Sequence, residues 1–370
     1  MYGLPALDVH SARWLLELDD HLARAPGRLA QAPDRAVRFA DADPGGLPFD
    51  VVSEEPTLVR VRRYDPDAVG ADRERNTPLV IVYPVINDLS ILDFRPDRSV
   101  IGSFLERGFS VYVLEWMDAS PIDRSIGLDD VIERTIGRSV RFAIEDASAE
   151  RAHLLGYSTG APLAVAYAAR RPERVRSLAL QGAPVDFDAG GSVGQLRTIG
   201  AHLDLETFTD AFDVLPAPVL EAGFTLRKPI EYAITNPMRL WDRFDDDEFV
   251  EDVARKLAWT AGGPAIPARF FRDFVDRLLV ENRLIRGELR VNGQPVDLEA
   301  IVAPLLALIG RDDAFVPPEA TTPVLDAAGS DDVELLKVPT GHVGLSTAPE
   351  AHEREDGWPR VREWFVARDH

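Results

Sequence analysis

The chain has 370 residues, 45% of them hydrophobic, and a formal net charge of -21. That length can bury a large core with room for an insertion, and such acidity repels phosphate, which argues against a nucleic-acid partner. Cysteine is absent, so disulfides, thiolate metal sites and a thiol nucleophile are all excluded. No run approaches the ~18 consecutive apolar residues of a membrane span. The start, Met1-Tyr2-Gly3-Leu4-Pro5, lacks the basic and apolar blocks of a signal peptide, so a cytoplasmic protein without a transmembrane segment is expected. Apart from Lys228, Lys256 and Lys337 the side-chain cations are all arginines, a composition consistent with adaptation to high salt or with a GC-rich genome.

In chain order, Val9, Trp14, Leu15, Leu18 and Leu22 share one face of a predicted helix over 9–24, which makes 1–50 an N-terminal appendage. From about Val51 the pattern is α/β. Leu79 to Tyr83 is a short apolar strand, followed by a helical run from Ser99 to Arg107 and a strand from Ser110 to Trp116. A helix around 128–143, a strand over 152–157, a helix over 161–169 and a strand over 175–180 continue the alternation. Strands alternating with helices predict a mostly parallel sheet covered on both faces. Over 186–300 the alternation stops, and aromatic and aliphatic residues such as Phe208, Phe224, Trp241 and Phe271 recur at helical spacing. This reads as a helical cap inserted before the last two strands, 304–309 and 333–338. The core is then 51–185 together with 301–370.

Between the strand at 152–157 and its following helix lies Gly156-Tyr157-Ser158-Thr159-Gly160. Strand, G-x-S-x-G, helix is the nucleophile elbow of the α/β-hydrolase fold, a turn so tight that its flanking positions must be small. A second match, Gly190 to Gly194, follows no strand and reads as a flexible glycine loop around Ser192. A Ser hydroxyl needs a base within hydrogen-bond reach and a third group to orient that base, and this fold supplies them in the order Ser, acid, His. Of the seven histidines, His342 alone sits in a Gly-flanked loop after a late strand, which marks it as the base. The strand at 304–309 leads into Arg311-Asp312-Asp313, so the acid is one of two adjoining residues, with Asp186 and Asp188 as weaker alternatives. The oxyanion hole is expected from the Thr159 N–H and an N–H of Val85-Ile86-Asn87, with Ile86 and Asn87 the candidates. Asp245-Asp246-Asp247-Glu248 precedes an apolar helical run and is read as a helix cap; no metal and no cofactor are expected.

With these residues placed, the chain resembles the polyhydroxyalkanoate synthase family, in particular its shorter class III type, from about Val51 to Phe365. The resemblance is carried by Pro78 to Tyr83, Leu92-Asp93-Phe94-Arg95-Pro96-Asp97-Arg98-Ser99, Leu105-Glu106-Arg107-Gly108-Phe109 and Pro184-Val185-Asp186-Phe187. It continues through Glu281 to Leu289, Asp313 to Pro318, and Gly341-His342. In that family the Asp before x-x-V-P-P is the triad acid, which implies Asp313. The resemblance further implies hydroxyacyl-CoA as substrate, contact with the polymer granule surface, a homodimer through the cap and a helper subunit. The departure is at the elbow. The family resembles G-x-C-x-G-G there, with a Cys nucleophile, whereas this chain carries Ser158. A thiol exchanges acyl groups with a thioester at almost no free-energy difference, while a Ser enzyme forms an oxygen ester and usually passes the acyl group to water. The resulting expectation is a serine hydrolase of hydroxyalkanoate or related acyl esters. A Ser-type polymerase and a non-catalytic granule-associated homologue are the alternatives.

Overall fold

The computed structural model describes residues 24, 27–28, 46–53, 58–71, 75–220 and 236–369. Apart from Arg24, the helix expected over 9–24 lies outside the described residues, as do Phe224, His10, His21 and His370.

Five strands carry short, mainly apolar runs that a doubly covered sheet buries: β3 (Leu79–Val82), β4 (Val111–Trp116), β5 (Ala152–Tyr157), β6 (Val175–Gln181) and β7 (Leu305–Gly310); β8 (Val333–Val338) follows as a half-exposed edge strand. Every residue of β3, β5 and β7 is buried. The sheet has eight strands, because β1 (Asp50–Ser53) and β2 (Val59–Tyr64) extend one edge, giving the order β1-β2-β4-β3-β5-β6-β7-β8. Pairing is antiparallel for β1 with β2 and for β2 with β4, and parallel from β4 to β8. The sequence reading assigns no strand before Leu79. β2 reads Val-Arg-Val-Arg-Arg-Tyr, half of it charged, and what makes it a strand is its neighbour. Arg60 lies opposite Glu115 of β4 in register, and Arg60 and Arg62 both donate to that carboxylate.

The helices on the sheet follow the predicted places with one irregularity. Helix α1 (Val100–Leu105) is capped by the Ser99 hydroxyl, which accepts from the Gly102 amide at 2.8 Å. The helix expected around 128–143 contains a π-helical run, Val131–Ile136, before α2 (Gly137–Asp146). Helix α3 (Gly160–Arg170) leaves the elbow and is buried from Gly160 to Ala169. Near the chain end, α4 (Trp358–Val366) packs Phe365 edge-on against Phe104 and Phe109.

Two compact units separate by contact density: one of Gly45–Leu215 with Pro264–His370, the other of Met1–Pro44 with Pro216–Gly263. The first holds the whole sheet. It also holds two short ribbons that helical periodicity gives no sign of, pairing Val214–Leu215 with Ile266–Pro267 and Arg290–Val291 with Gln294–Pro295. In the second unit the helix Asp247–Ala261 is N-capped by Asp246, whose carboxylate accepts from the Phe249 amide at 3.0 Å. That bond holds the Asp246 carboxyl below its ordinary pKa. Within the same unit the buried guanidinium of Arg28 donates to the Asp242 carbonyl at 2.9 Å and lies over the Trp241 ring.

Candidate active site

β5 ends at Tyr157, and Ser158 follows with φ of 48°, a left-handed conformation that costs a non-glycine residue about 1–2 kcal/mol. The flanking glycines make the turn possible. A Cβ on Gly156 would stand 2.7 Å from the Ala161 Cα, and one on Gly160 would stand 2.2 Å from the Val82 carbonyl oxygen. The turn is closed by the Ser158 amide donating to the Gln181 carbonyl of β6 at 2.9 Å, and by the Ala161 amide donating to the Ser158 carbonyl at 2.9 Å. The strain is thus held by backbone bonds to the neighbouring strand and to the helix it opens, and Ser158 remains only 7% exposed.

The structure brings Ser158, His342 and Asp313 together. Ser158 Oγ lies 2.8 Å from His342 Nε2, and His342 Nδ1 lies 2.7 Å from Asp313 Oδ2. A carboxylate can only accept, so Nδ1 carries the proton toward Asp313 and Nε2 is left to accept from the Ser158 hydroxyl. The other Asp313 oxygen accepts from the Phe315 and Val316 amides at 2.9 and 2.8 Å, which fixes the carboxylate rigidly. Asp313 is 3% exposed, while Asp312 faces solvent. Asp186 and Asp188 are engaged elsewhere, by Asn282 and by Asn282 with Arg286 respectively.

The imidazole plane is set by its surroundings. The Tyr157 ring stacks on it at 6.1 Å between centroids and 21° between planes, and the Phe315 ring lies 5.0 Å away. Burial pushes the Tyr157 phenol up to about 12, so it stays neutral beside the histidine at physiological pH. Gly182, directly after β6, has φ of 53°, and a Cβ there would come within 3.0 Å of His342 Cε1. Gly182 and the two rings escape sequence reasoning, because the first is one glycine among 26 and the rings belong to no motif.

Gly190-Gly191-Ser192-Val193-Gly194 is not a loose loop. It opens a helix over Gly191–Gly200 and fastens the segment that follows Asp313. The Ser192 amide and hydroxyl both donate to the Ala314 carbonyl, at 3.0 and 3.1 Å, and the Val193 amide donates to the Phe315 carbonyl at 3.1 Å. Gly191 has φ of 60°, and a Cβ on it would meet Pro317 at 2.7 Å. The glycines therefore serve a close backbone approach, which sequence cannot separate from flexibility.

The oxyanion candidates sit at the same end of the sheet. Val82 pairs with Gly156 in register, so Ile86 and Asn87 follow β3 at the end where the elbow stands, and Asn87 has φ of 63°. The Thr159 N–H precedes the first residue of α3, among the amides for which a helix offers no internal acceptor. The remaining described histidines are elsewhere: His153 is buried against the Ser177 hydroxyl, His202 bonds the Thr198 carbonyl and His352 the Ser346 carbonyl. Among the described residues no group of three or more His, Asp or Glu could hold a metal ion, and no helix is long and apolar enough to cross a membrane.

A sequence profile of the alpha/beta hydrolase fold matches residues 90–349. The poly(3-hydroxyalkanoate) polymerase subunit PhaC of Haloferax mediterranei is 34% identical over 98% of this chain and 72% of its own length. The subunit of the same name from Allochromatium vinosum is 28% identical over 92% of this chain and 94% of its own. Among solved structures, BpoC of Mycobacterium tuberculosis superposes with a TM-score of 0.52 at 18% identity, over 85% of this chain and 99% of that one, a likeness of fold alone. Eight strands in this order, an elbow after the fifth and relatives matched along nearly the whole chain lead to one assignment: the chain belongs to the polyhydroxyalkanoate synthase family of the α/β-hydrolase superfamily.

Proposed function

We propose that the chain is an acyltransferase of the polyhydroxyalkanoate-polymerase type that works through an acyl-serine at Ser158. The observation that carries the reading is the continuous line from Ser158 Oγ through the His342 ring to Asp313, with contacts of 2.8 and 2.7 Å. His342 Nε2 takes the hydroxyl proton as Oγ attacks the carbonyl carbon of a 3-hydroxyacyl thioester. The negative charge formed on oxygen is met by the Thr159 N–H and by an N–H of Ile86 or Asn87. Collapse breaks the C–S bond, the imidazolium returns its proton to the leaving thiolate, and acyl-Ser158 remains. The 3-hydroxyl of another hydroxyacyl unit then attacks, His342 accepts its proton and passes it to Ser158 Oγ, and a new ester bond is made.

This reverses the order of preference drawn from the sequence, where Ser158 put hydrolysis first. Two considerations support the change. The relatives that align along almost the whole chain are named polymerases. The chemistry is also compatible: a thioester acylates a hydroxyl downhill, and passing the acyl group from one alcohol ester to another is nearly isoenergetic. A hydroxyl nucleophile therefore serves both steps, provided water is kept from the acyl-enzyme. The near-complete burial of Ser158 favours that exclusion.

Hydrolysis of hydroxyalkanoate esters is the second reading, and the hydroxyl in place of a thiol at position 158 favours it. Incubation with 3-hydroxybutyryl-CoA separates the two. Free coenzyme A with insoluble polymer is the expected result, whereas free coenzyme A with soluble 3-hydroxybutyrate alone would establish the hydrolase. Failure of a fluorophosphonate to label Ser158 would remove both and leave a non-catalytic granule-associated homologue.

A further inference from the structure

One end of the sheet carries the elbow, and the other carries a cavity of about 510 Å³ that the reaction does not use. One wall is the π-helical run with α2, which presents Arg134, Arg138 and Arg141; the facing wall is the turn after α3, which presents Arg171 and Arg174. Only Glu133 and Glu173 among the lining residues are acidic, so the lining is net positive in a chain whose charge is -21. Glu133 is already engaged by Arg170 at 3.0 Å and Arg171 at 2.6 Å. Three further ion pairs in the lining are long and wet. Arg134 stands 3.6 Å from Asp130, Arg141 3.6 Å from Glu145, and Arg174 3.9 Å from Glu173, with side chains at least 37% exposed. Exposed pairs of this length contribute little, so an incoming anion displaces them easily.

The Tyr167 side chain lines the same cavity, is 1% exposed overall, and its hydroxyl is buried beside Arg174. Burial raises the phenol to about 12, so it stays neutral among the arginines. The wall opposite is also irregular in a telling place, since π-helical turns widen a helix and occur frequently at functional sites.

We propose that this cavity binds a small phosphate-rich anion, a diphosphate or a nucleotide polyphosphate, held between Arg134, Arg138 and Arg141 on one side and Arg171 and Arg174 on the other. Guanidinium forks match phosphate oxygens in bidentate pairs, and two facing walls select an anion with more than one phosphate over a single point charge. The volume falls in the range of small-molecule sites, ~300–1,000 Å³. The site is distinct from the acyl site: Arg174 immediately precedes β6, whereas Gly182 at the far end touches His342. The seven residues of β6 span ~20 Å.

The test is isothermal titration of the full-length protein with inorganic pyrophosphate and with ADP, at constant ionic strength set by sodium chloride. That control is necessary because any added salt screens a chain this acidic. The expected result is saturable binding to one site, weakened at least tenfold in an Arg134→Gln/Arg174→Gln double variant and several-fold in Tyr167→Phe. Ser158 labelling by a fluorophosphonate should be unchanged in all of them, which also shows that the variants fold. Absence of saturable heat with either anion would overturn the proposal, as would affinity that both variants leave intact or heat that chloride reproduces.

Discussion

A hydroxyl in place of a thiol alters both the pKa of a nucleophile and the energy of the ester it forms, and in the proposed reaction Ser158 needs its base in a way a thiolate does not. Removing the base or its orienting acid should therefore be severe. Asp313→Asn would keep the fold but leave Nδ1 facing a group that need not accept, and a fall in kcat on the order of 10³–10⁴ is expected from the wrong tautomer. Asp312→Asn, at a solvated position one residue away, should leave kcat within a factor of two or three. Equal loss from both variants would contradict the assignment of the acid. Ser158→Cys should remain active and keep polymer as its product, read as the ratio of polymer to soluble hydroxy acid from one thioester. Sequence alone left Asp312 and Asp313 unresolved, and only the resemblance pointed to Asp313. What separates them physically is the pair of amides, Phe315 and Val316, that turn the second carboxylate inward.

The elements legible in the sequence were those whose own residues dictate burial. Leu79–Val82 and Leu305–Gly310 are apolar throughout and can only be inner strands. The elbow was legible for a similar reason, because Gly156 and Gly160 sit where a Cβ would strike backbone. β2 was illegible because its arginines take their meaning from Glu115 in another strand. The helix start at Gly191 was illegible because its purpose is a contact with a segment more than a hundred residues away. That contact predicts a measurable effect. Gly191→Ala places a Cβ 2.7 Å from Pro317 at a positive φ, which should displace the Asp313–Val316 turn and lower kcat by at least tenfold with little change in KM. Ser192→Ala removes one hydroxyl bond and keeps the amide bonds, so a loss of about 0.5–1.5 kcal/mol in stability and a milder fall in kcat are expected. Unchanged kinetics in Gly191→Ala would mean that the clip does not hold the acid in place.

At the scale of the whole molecule, two buried histidines tie stability to pH. Burial lowers the pKa of His153 inside β5 and of His352 near the chain end, so both resist protonation in the folded state. The unfolded chain accepts those protons near pH 6.5. Below that pH it binds more protons than the native state, and stability must fall as pH falls. The Asp369 carboxyl, held well below its ordinary pKa beside His153, Thr77 and Arg75, extends the same trend below about pH 4. Thermal unfolding midpoints at constant ionic strength should therefore drop between pH 7 and pH 5. His153→Gln should flatten that slope; a midpoint independent of pH over this range would refute the linkage.

The polymerase reading rests on an acyl group carried on Ser158 and taken from a thioester. Its most direct test is rapid quenching of the protein with 3-hydroxybutyryl-CoA, followed by mass spectrometry of the intact chain and of the peptide containing Gly156 to Gly160. One or more hydroxybutyryl units on Ser158, with stoichiometric release of coenzyme A and no adduct in Ser158→Ala, is the predicted result. An unmodified Ser158 in a protein that still turns over the thioester would contradict it.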